Sequence, residues 1–484
     1  MRILVVSSEV APLAKTGGLA DMTGSLSAAL SRQGHEVVIA VPYYQQIRAL
    51  GLTTFPVLED IMADFGGRSV KASVLKSVLP KTDVTVYLVD CPEFFDRPGL
   101  YQEDGNDYGD NLERFALFCQ AILATLKREY WQPHVIHCND WQTALIPIYL
   151  RTWYREDPFY NPIKVLYTIH NLAYQGIFPK EKLLELHLPW YLYHIDGIEF
   201  YERISLMKGG IVCSDRISTV SPRYAAEIRT KELGCGLEGV LNKRKKVLVG
   251  ILNGMDYSVW SPDQDGCIAA TYSARDLSGK VRCKAALQKE NGLVIDPSMP
   301  VLGMISRLDE QKGLDILAEV FPELMARKVQ VVLLGTGQPK YHKTFGEFAR
   351  KYEGKAGIHL TFDNDMAHRI EAGADLFLMP SHYEPCGHNQ MYSLRYGTIP
   401  VVRATGGLAD TVTEYSPETG EGNGFVFINH KGNEFLAAIE KGLAMFQKKE
   451  TWDSLMKKAM KMDFSWNVSA RSYGQLYEEM VEGL

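Results

Sequence analysis

Short apolar runs, most of them followed at once by polar residues or glycine, recur along the chain and predict buried parallel strands. In the first half of the chain these runs cover 2–7, 36–41, 135–138, 164–169, 217–220 and 247–251. In the second half they cover 301–306, 329–334, 358–362, 375–380 and 400–402. Stretches with helical spacing, such as 112–130 and 470–482, follow or separate the runs. This alternation predicts an α/β protein with doubly wound, Rossmann-like sheets.

The strands fall into two series. A chain of 484 residues is too long for one hydrophobic core, and glycine, proline and polar residues cluster at 254–262. We therefore predict one Rossmann-like domain at 1–253 and a second at 254–464. The last helix, within 465–484, has no strand after it, so we expect it to pack back on the first domain.

Composition narrows the class of protein. A formal charge of −6 argues against a nucleic-acid partner, which usually requires a basic protein. The eight cysteines are scattered without the two-residue gap of a zinc or redox motif, which favours a reducing compartment. No apolar run approaches the length of a membrane span, and the first residues form a strand and not a signal peptide. We expect a cytoplasmic protein with no membrane partner.

Polar side chains end two strands of the first series. Asp140 follows one strand, and His170 and Asn171 follow the next. Several polar groups that each end a strand predict a shared crevice, whereas a lone histidine there would usually be a core residue. The aromatic-rich segment 172–205 is equally compatible with a surface for stacking sugar rings and with core packing.

One six-residue sequence occurs twice. Thr16–Asp21 and Thr405–Asp410 both read Thr-Gly-Gly-Leu-Ala-Asp, and each lies between a strand and a helix. The glycine spacing matches neither a dinucleotide fingerprint nor a Walker loop. We infer two similar domains that each present a glycine loop at the strand ends, with a ligand cleft between them. The alternative is a duplication that serves structure alone; likewise Lys15, before the first loop, suits an anion or is an ordinary surface lysine.

The turn at 381–390 follows an apolar run and precedes a predicted helix, so its carboxylate, Glu384, lies where open α/β sheets bind ligands. Gly387 allows a ligand to approach the backbone closely. Free N–H groups at the helix start, near His388 and Asn389, can hold a phosphate. The alternative is an ordinary strand–loop–helix connection.

Positive groups stand at the start of the second series. Arg307 ends its first strand and Lys312 opens the following helix. Together with Lys15 and the helix start after Gly387, they suit a diphosphate that develops charge as it departs. The sequence shows no set of residues with metal-ligand spacing, so basic side chains are predicted to take the place of a cation.

At these residues the chain resembles the bacterial glycogen synthase and plant starch synthase family. The resemblance runs nearly from end to end through seven motifs in the family's order. These are Lys15-Thr-Gly-Gly-Leu-Ala-Asp21, His137-Cys-Asn-Asp-Trp-Gln142, Tyr167-Thr-Ile-His-Asn171, Asn253-Gly-Met-Asp256, Ser306-Arg-Leu-Asp-Glu-Gln-Lys-Gly313, Glu384-Pro-Cys-Gly387 and Thr405-Gly-Gly-Leu-Ala-Asp410.

The resemblance implies a GT-B fold, in which two Rossmann-like domains face a deep cleft. It implies retaining transfer of glucose from ADP-glucose to the non-reducing end of an α-1,4-glucan, without a cofactor, a metal or an enzyme nucleophile. The implied catalytic group is Glu384, His170, Asp140, Lys312 and Arg307. The implied substrate-binding group is Lys15, Gly18, Asp21, Asn171, Asn253, Phe362, Cys386, Gly387, His388 and Asn389.

Two positions depart from the pattern of the family. His388 stands where the family usually has leucine, and Phe362 stands where tyrosine is common. Tyr392 replaces the second glutamate of the broader set of related transferases, as it does in the synthases. The same residues are compatible with two other functions: a related transferase that uses UDP-glucose or a small acceptor, and a non-catalytic nucleotide-sugar sensor. The sequence makes no prediction of oligomeric state.

Overall fold

The apolar runs fold into two mainly parallel sheets in a computed structural model, which describes residues 1–483. Each sheet belongs to one of two units. The first unit comprises 1–220, 225–254 and 466–483, and the second comprises 221–224 and 255–465. The segment Ser221–Tyr224, which the sequence pattern assigns to the first domain, groups with the second unit, and Ser221 Oγ donates a hydrogen bond to Asp410 Oδ2 there.

The first unit contains fourteen strands. They are β1 Arg2–Val6, β2 Glu36–Pro42, β3 Phe55–Phe65, β4 Arg68–Val78, β5 Thr85–Asp90, β6 Gln102–Glu103, β7 Asn106–Asp107, β8 Val135–Asn139, β9 Lys164–Ile169, β10 Ile177–Pro179, β11 Glu199–Phe200, β12 Arg203–Ser205, β13 Arg216–Thr219 and β14 Leu248–Gly250.

Nine α-helices accompany these strands in the first half of the chain. They are α1 Gly18–Arg32, α2 Gln45–Ala49, α3 Pro92–Phe95, α4 Asn111–Arg128, α5 Leu145–Arg151, α6 Lys182–Glu185, α7 Leu206–Cys213, α8 Pro222–Glu227 and α9 Glu238–Lys243.

Nine strands form the main sheet of the first unit, in the order β14-β13-β9-β8-β1-β2-β5-β4-β3. The strands from β14 to β5 are parallel, and the strand order reverses between β1 and β8. The antiparallel extension β4-β3 lies outside the sequence prediction, which covered only the parallel strands. Exposed and buried residues alternate along β4, and this alternation is the pattern of a strand with one buried face.

The second unit contains six strands and eight α-helices. The strands are β15 Val301–Ile305, β16 Gln330–Leu334, β17 Ala356–His359, β18 Leu376–Met379, β19 Ile399–Arg403 and β20 Phe425–Phe427. The helices are α10 Ser278–Glu290, α11 Leu314–Met325, α12 Pro339–Lys351, α13 Asn364–Gly373, α14 Asn389–Arg395, α15 Gly406–Thr411, α16 Gly432–Phe446 and α17 Lys449–Ala459.

All six strands of this sheet are parallel, in the order β17-β16-β15-β18-β19-β20. Both β16 and β18 are buried along their whole length, which explains why their sequences are uninterrupted apolar runs. The order reverses between β15 and β18. Residues that follow these two strands therefore flank the topological switch point, where open α/β sheets bind ligands.

The last helix, α18 at Trp466–Glu482, packs against α1 within the first unit. Its Tyr477 hydroxyl lies 2.8 Å from Nδ1 of His137, whose Nε2 lies 2.6 Å from Thr168 Oγ1. Burial lowers the pKa of His137 to about 3, so this ring stays neutral and serves packing.

The aromatic-rich segment contains a small antiparallel sheet, β10-β12-β11. Tyr174, Tyr191 and Tyr201 on this segment are exposed, whereas Phe178 packs on Trp141. Core packing therefore accounts for Phe178, whereas stacking of sugar rings on the exposed tyrosines stays a prediction. Within residues 1–483, no helix combines the length and the apolar character needed to cross a membrane.

Candidate active site

Glu384 lies in the turn after β18 and is bound from two sides. Lys312 Nζ donates a 2.7 Å hydrogen bond to its Oε2, and Ser381 Oγ donates to the same oxygen at 3.1 Å. The side chains are largely buried, with 6% of Glu384 and 19% of Lys312 exposed. A buried carboxylate is thus fixed in place by one cation and one hydroxyl.

The loop after β15 brings Lys312 to this position. Lys312 ends a 3₁₀ helix, and its N–H donates to Asp309 at the start of that helix. Gly313 follows at φ +71°, and a Cβ there would lie 2.0 Å from the carbonyl oxygen of Pro380. The turn after β15 therefore packs directly against the turn after β18, and this position requires glycine.

Gln311 joins the same two turns. Its carbonyl accepts a 2.7 Å hydrogen bond from the His382 N–H, and its side-chain amide donates to the Tyr383 carbonyl at 3.3 Å. Arg307, at the end of β15, is exposed and lies 3.3 Å from Asp309. Arg307, Lys312 and Glu384 therefore gather at the switch point of the second sheet.

The second copy of the repeated sequence follows β19 and opens α15. Gly406 has φ +44°, and a Cβ there would lie 1.9 Å from the Glu384 carbonyl oxygen. A Cβ on Gly407 would lie 2.0 Å from the Cys386 carbonyl oxygen, and the Gly407 N–H donates to the Glu384 carbonyl at 3.1 Å. Thr405–Asp410 therefore lies at a strand-to-helix connection, as predicted, and a ligand contact of its glycine loop stays a prediction. Its glycines are packed against the turn that carries Glu384.

The residues after Glu384 lead into α14. Gly387 adopts φ +71°, the left-handed conformation that favours glycine. Cys386 is buried, and Asn389 Nδ2 donates to the Ile305 carbonyl at the end of β15 at 2.7 Å. The His388 ring lies 6.1 Å from that of Tyr392, one helical turn further on.

Phe362 is the most exposed of the candidate aromatics, with 83% of its surface accessible. The predicted strand 358–362 ends earlier, at His359, so Phe362 lies in the loop beyond β17. Packing within the second unit does not account for an aromatic ring at this position.

Three candidate residues of the first unit lie together after β8 and β9. The His170 N–H donates to Asp140 Oδ1 at 2.8 Å, and His170 Nε2 lies 2.9 Å from Asn139 Oδ1. The Asn171 side chain accepts from the Ala173 N–H at 3.1 Å. Asp140 adopts φ +54°, a conformation that costs a non-glycine residue about 1–3 kcal/mol and is frequent at functional sites.

The carboxyl group of Asp140 has an altered acidity. Burial raises its pKa to about 7, although N–H groups of His170 and Asn171 favour the ionised form, and the nearby Glu9 carboxylate raises the pKa further. Asp140 therefore titrates near neutral pH, which suits a group that exchanges protons or hydrogen bonds with a substrate.

The loop after β1 carries the first copy of the repeat. Lys15 Nζ donates to Asp21 Oδ1 at 2.7 Å, and both side chains are partly exposed. Gly18 is the first residue of α1, so its N–H belongs to the first turn, which has no acceptor within the helix. The Glu9 side chain holds this loop by accepting hydrogen bonds from the loop backbone. The sequence analysis missed Glu9, although an acidic residue after a buried strand is the same signal that identified Asp140.

Asn253 is the last candidate residue of the first unit. Only 4% of it is exposed, and its Oδ1 is buried without a hydrogen-bond partner in the described residues. An unsatisfied buried amide oxygen is costly and is consistent with a ligand contact.

The structure thus joins the candidates in three groups: Glu384 with Lys312 and Arg307, Asp140 with His170 and Asn171, and Lys15 with Asp21. The expectation that the groups of the two domains meet across one cleft stays a prediction.

One possible metal group exists within residues 1–483. Asp265, Cys267 and His368 bring their ligand atoms within 4.8 Å of one another. Asp265 Oδ2 already has two partners, since it lies 2.8 Å from His368 Nδ1 and accepts a bond from the Tyr396 hydroxyl. These contacts explain the group as a buried hydrogen-bond network.

Comparison with known proteins identifies the family. Residues 2–243 match the family model for the starch synthase catalytic domain, and residues 288–458 match that for glycosyl transferases group 1. A glycogen synthase from Koribacter versatilis is 44% identical over 99% of this chain and 98% of that protein. The chain belongs to the glycogen and starch synthase family. A second member of this family, the glycogen synthase from Fervidobacterium nodosum, is 46% identical over 99% of this chain and 98% of that protein.

Solved structures agree with the glycogen and starch synthase assignment. The catalytic domain of starch synthase IV from Arabidopsis thaliana, bound to ADP and acarbose, has a TM-score of 0.90 at 33% identity and covers 99% of each chain. Sucrose-phosphate synthase from Thermosynechococcus elongatus has a TM-score of 0.61 at 17% identity, which shows the fold alone. The fold is therefore GT-B and the protein is a glycosyltransferase. The predictions of fold class and of a glycogen or starch synthase are confirmed.

Proposed function

We propose that the protein transfers glucose from ADP-glucose to the non-reducing end of an α-1,4-glucan, with retention of configuration. The observation that carries the proposal is the Lys312–Glu384 pair at the switch point of the second sheet. There a cation and a carboxylate, in contact and largely buried, match the opposite charges that develop on a departing diphosphate and on the sugar it leaves.

The diphosphate is assigned to Arg307, Lys312 and Lys15, with N–H groups from Gly18 and from Gly387 to Asn389. Arg307 and Lys312 support this assignment because both follow β15, one of the two strands that flank the switch point. Each charge-assisted hydrogen bond to the departing diphosphate contributes about 1.5–3 kcal/mol. Phe362 is assigned to the nucleobase, for which its exposed ring is available.

The sugar is assigned to Glu384, Asp140, His170 and Asn171, which supply fixed acceptors and donors for hydroxyl groups. In retaining transfer without an enzyme nucleophile, the acceptor attacks the face that the diphosphate leaves. Glu384 would then stabilise positive charge on the sugar ring and form no bond to it. Its position, fixed by Lys312 and Ser381, suits this electrostatic role.

We further propose that transfer needs no metal ion, because three basic side chains are assigned to the diphosphate, and that the enzyme acts in the cytoplasm on glycogen or maltodextrin. A bound cation would add a second source of positive charge at the diphosphate. The reaction should therefore proceed at full rate when divalent ions are removed.

A donor-competition assay tests the proposal. Glycogen and short maltodextrins are supplied with labelled ADP-glucose or UDP-glucose, with and without a chelator. We expect incorporation from ADP-glucose, insensitive to the chelator, and weaker incorporation from UDP-glucose. A requirement for a divalent cation would overturn the metal-free assignment, and a strong preference for UDP-glucose or for a small acceptor would overturn the donor or acceptor assignment.

The Glu384→Ala variant separates an enzyme from a nucleotide-sugar sensor. An enzyme loses transfer in this variant while ADP still binds. A variant that binds ADP-glucose normally and matches the parent in every transfer assay would favour a sensor.

A further inference from the structure

Glu9 is a buried carboxylate between β1 and the Lys15 loop, with only 4% of the residue exposed. It accepts four hydrogen bonds. Oε2 accepts from the N–H groups of Thr16 at 2.6 Å and Gly17 at 3.1 Å. Oε1 accepts from the hydroxyls of Thr16 at 2.6 Å and Tyr101 at 2.7 Å.

These four donors are the hydrogen-bond partners of the Glu9 carboxylate. Within residues 1–483, no ion pair joins Glu9 to a basic side chain. Successive N–H groups that converge on a carboxylate form the kind of concavity that binds external anions. In this loop the anion is a side chain of the same protein, so the N–H groups of Thr16 and Gly17 are already occupied.

We propose that Glu9 is a positioning residue for Lys15. This inference rests on the proposed function, in which Lys15 binds the diphosphate of the donor. Glu9 fixes the two residues that follow Lys15, and with them the start of α1 at Gly18. An external phosphate then meets the Lys15 ammonium and the first turn of α1, and the amides of Thr16 and Gly17 take no part in binding it.

In this arrangement the backbone of the loop is fixed, whereas the charged Lys15 side chain can move. The backbone of the loop is held by a buried group, whereas the Lys15 side chain is 54% exposed and reaches Asp21. A loop that is ordered before the ligand arrives avoids part of the entropy cost of binding. Loss of Glu9 should therefore weaken the contribution of Lys15 specifically.

Two substitutions separate hydrogen bonding from charge. Glu9→Met keeps the length of the side chain but leaves the N–H groups of Thr16 and Gly17 without an acceptor. Glu9→Gln can keep all four bonds, since its oxygen accepts from both N–H groups and its NH2 donates to both hydroxyls. We expect Glu9→Met to lower kcat/KM for ADP-glucose about 10- to 100-fold, and Glu9→Gln to stay within about threefold of the parent.

A double-mutant cycle with Lys15→Ala tests whether Glu9 acts through Lys15. We expect Glu9→Met to cost less than about threefold in the Lys15→Ala background, with the KM for glycogen little changed throughout. The inference would be overturned if Glu9→Met lowered kcat/KM by the same factor with and without Lys15→Ala. It would also be overturned if Glu9→Gln were as impaired as Glu9→Met. The same cycle can be measured as ADP affinity by calorimetry. It then tests whether Glu9 acts through Lys15 even if the protein does not transfer glucose from ADP-glucose, so failure of the inference and failure of the proposed function are distinguishable.

Hydrogen–deuterium exchange of the segment around Thr16 provides a readout that is independent of activity. We expect Glu9→Met to accelerate exchange at the Thr16 and Gly17 amides at least about tenfold, with exchange in Glu9→Gln close to that of the parent. Unchanged exchange in Glu9→Met would contradict the inference. Asp215→Asn is the matched control, because Asp215 also accepts a backbone N–H, that of Val165, at the amino end of the strands. If Glu9→Met does not fold, Glu9→Asp replaces it, since the shorter side chain cannot reach Thr16 and Tyr101 together.

Discussion

Lys312 Nζ lies 2.7 Å from Glu384 Oε2, and this contact joins the turn after β15 to the turn after β18. The residues are 72 positions apart in the chain, yet both follow strands that are neighbours in the sheet. Because both side chains are largely buried, removing either leaves a charge with little solvent to compensate it. The pair therefore couples the geometry of the donor site to the integrity of the second sheet.

Lys312→Ala should lower kcat for transfer about 10²- to 10³-fold and change the KM for ADP-glucose much less. The reason is that leaving-group charge develops mainly in the transition state, so the contact with Lys312 is strongest there. Steady-state kinetics with glycogen as acceptor measure both constants. Lys340→Ala is the control, since Lys340 pairs with Glu310 at the surface of the same region. An unchanged kcat with a raised KM would contradict the proposed role.

Gly406→Ala should destabilise the second unit by about 3 kcal/mol or more, because the new Cβ would lie 1.9 Å from the Glu384 carbonyl oxygen. Gly17 is the matched control, since it occupies the same place in the other copy of the repeat. It has an extended backbone with φ −156°, and a Cβ there meets nothing within 4 Å. Gly17→Ala should change the free energy of unfolding by no more than about 1 kcal/mol. Urea unfolding measures the free energy of unfolding of both variants. Equal losses of stability in the two variants would refute the different surroundings of Gly17 and Gly406.

The place of several candidate residues at strand ends could be predicted because local sequence is sufficient to find it. Asp140, His170, Arg307 and Glu384 each follow a buried apolar run, and the carboxyl ends of parallel strands share one edge of a sheet. Predicting these residues does not require the strand order. The strand order explains why Arg307 and Glu384 come together, since β15 and β18 flank the reversal of order.

The features that escaped prediction depend on contacts between distant parts of the chain. Identical letters at Gly17 and Gly406 have different surroundings, because only Gly406 packs against the turn that carries Glu384. Glu9 is fixed in part by Tyr101, which lies 92 positions further on. The spacing of apolar residues does not predict contacts with such distant partners.

Asp140→Asn should stabilise the protein relative to the parent more at pH 8 than at pH 5. Burial raises the pKa of Asp140 to about 7, above a value of about 3.9 in an unfolded chain. The protonated carboxyl thus favours the folded state, an effect that is complete below about pH 4 and is lost as the pH rises through about 7. Asparagine carries no such ionisation, so the gain should grow by about 1–3 kcal/mol over this range. Urea unfolding at several pH values measures it, and a difference that does not vary with pH would disprove the raised pKa.

Phe362→Ala should weaken binding of the nucleotide and leave folding unchanged. With 83% of its surface exposed, the ring contributes little to the core of the second unit. Stacking of a base on an aromatic ring contributes about 1–3 kcal/mol, so the Kd for ADP and the KM for ADP-glucose should rise about 5- to 100-fold while kcat stays within about threefold. Val294→Ala provides the comparison, because Val294 is 64% exposed and precedes β15 at the amino end of the sheet. Calorimetry with ADP and thermal unfolding of both variants separate the two effects. A Phe362→Ala variant with normal ADP affinity and a raised KM for glycogen would instead assign the ring to the acceptor.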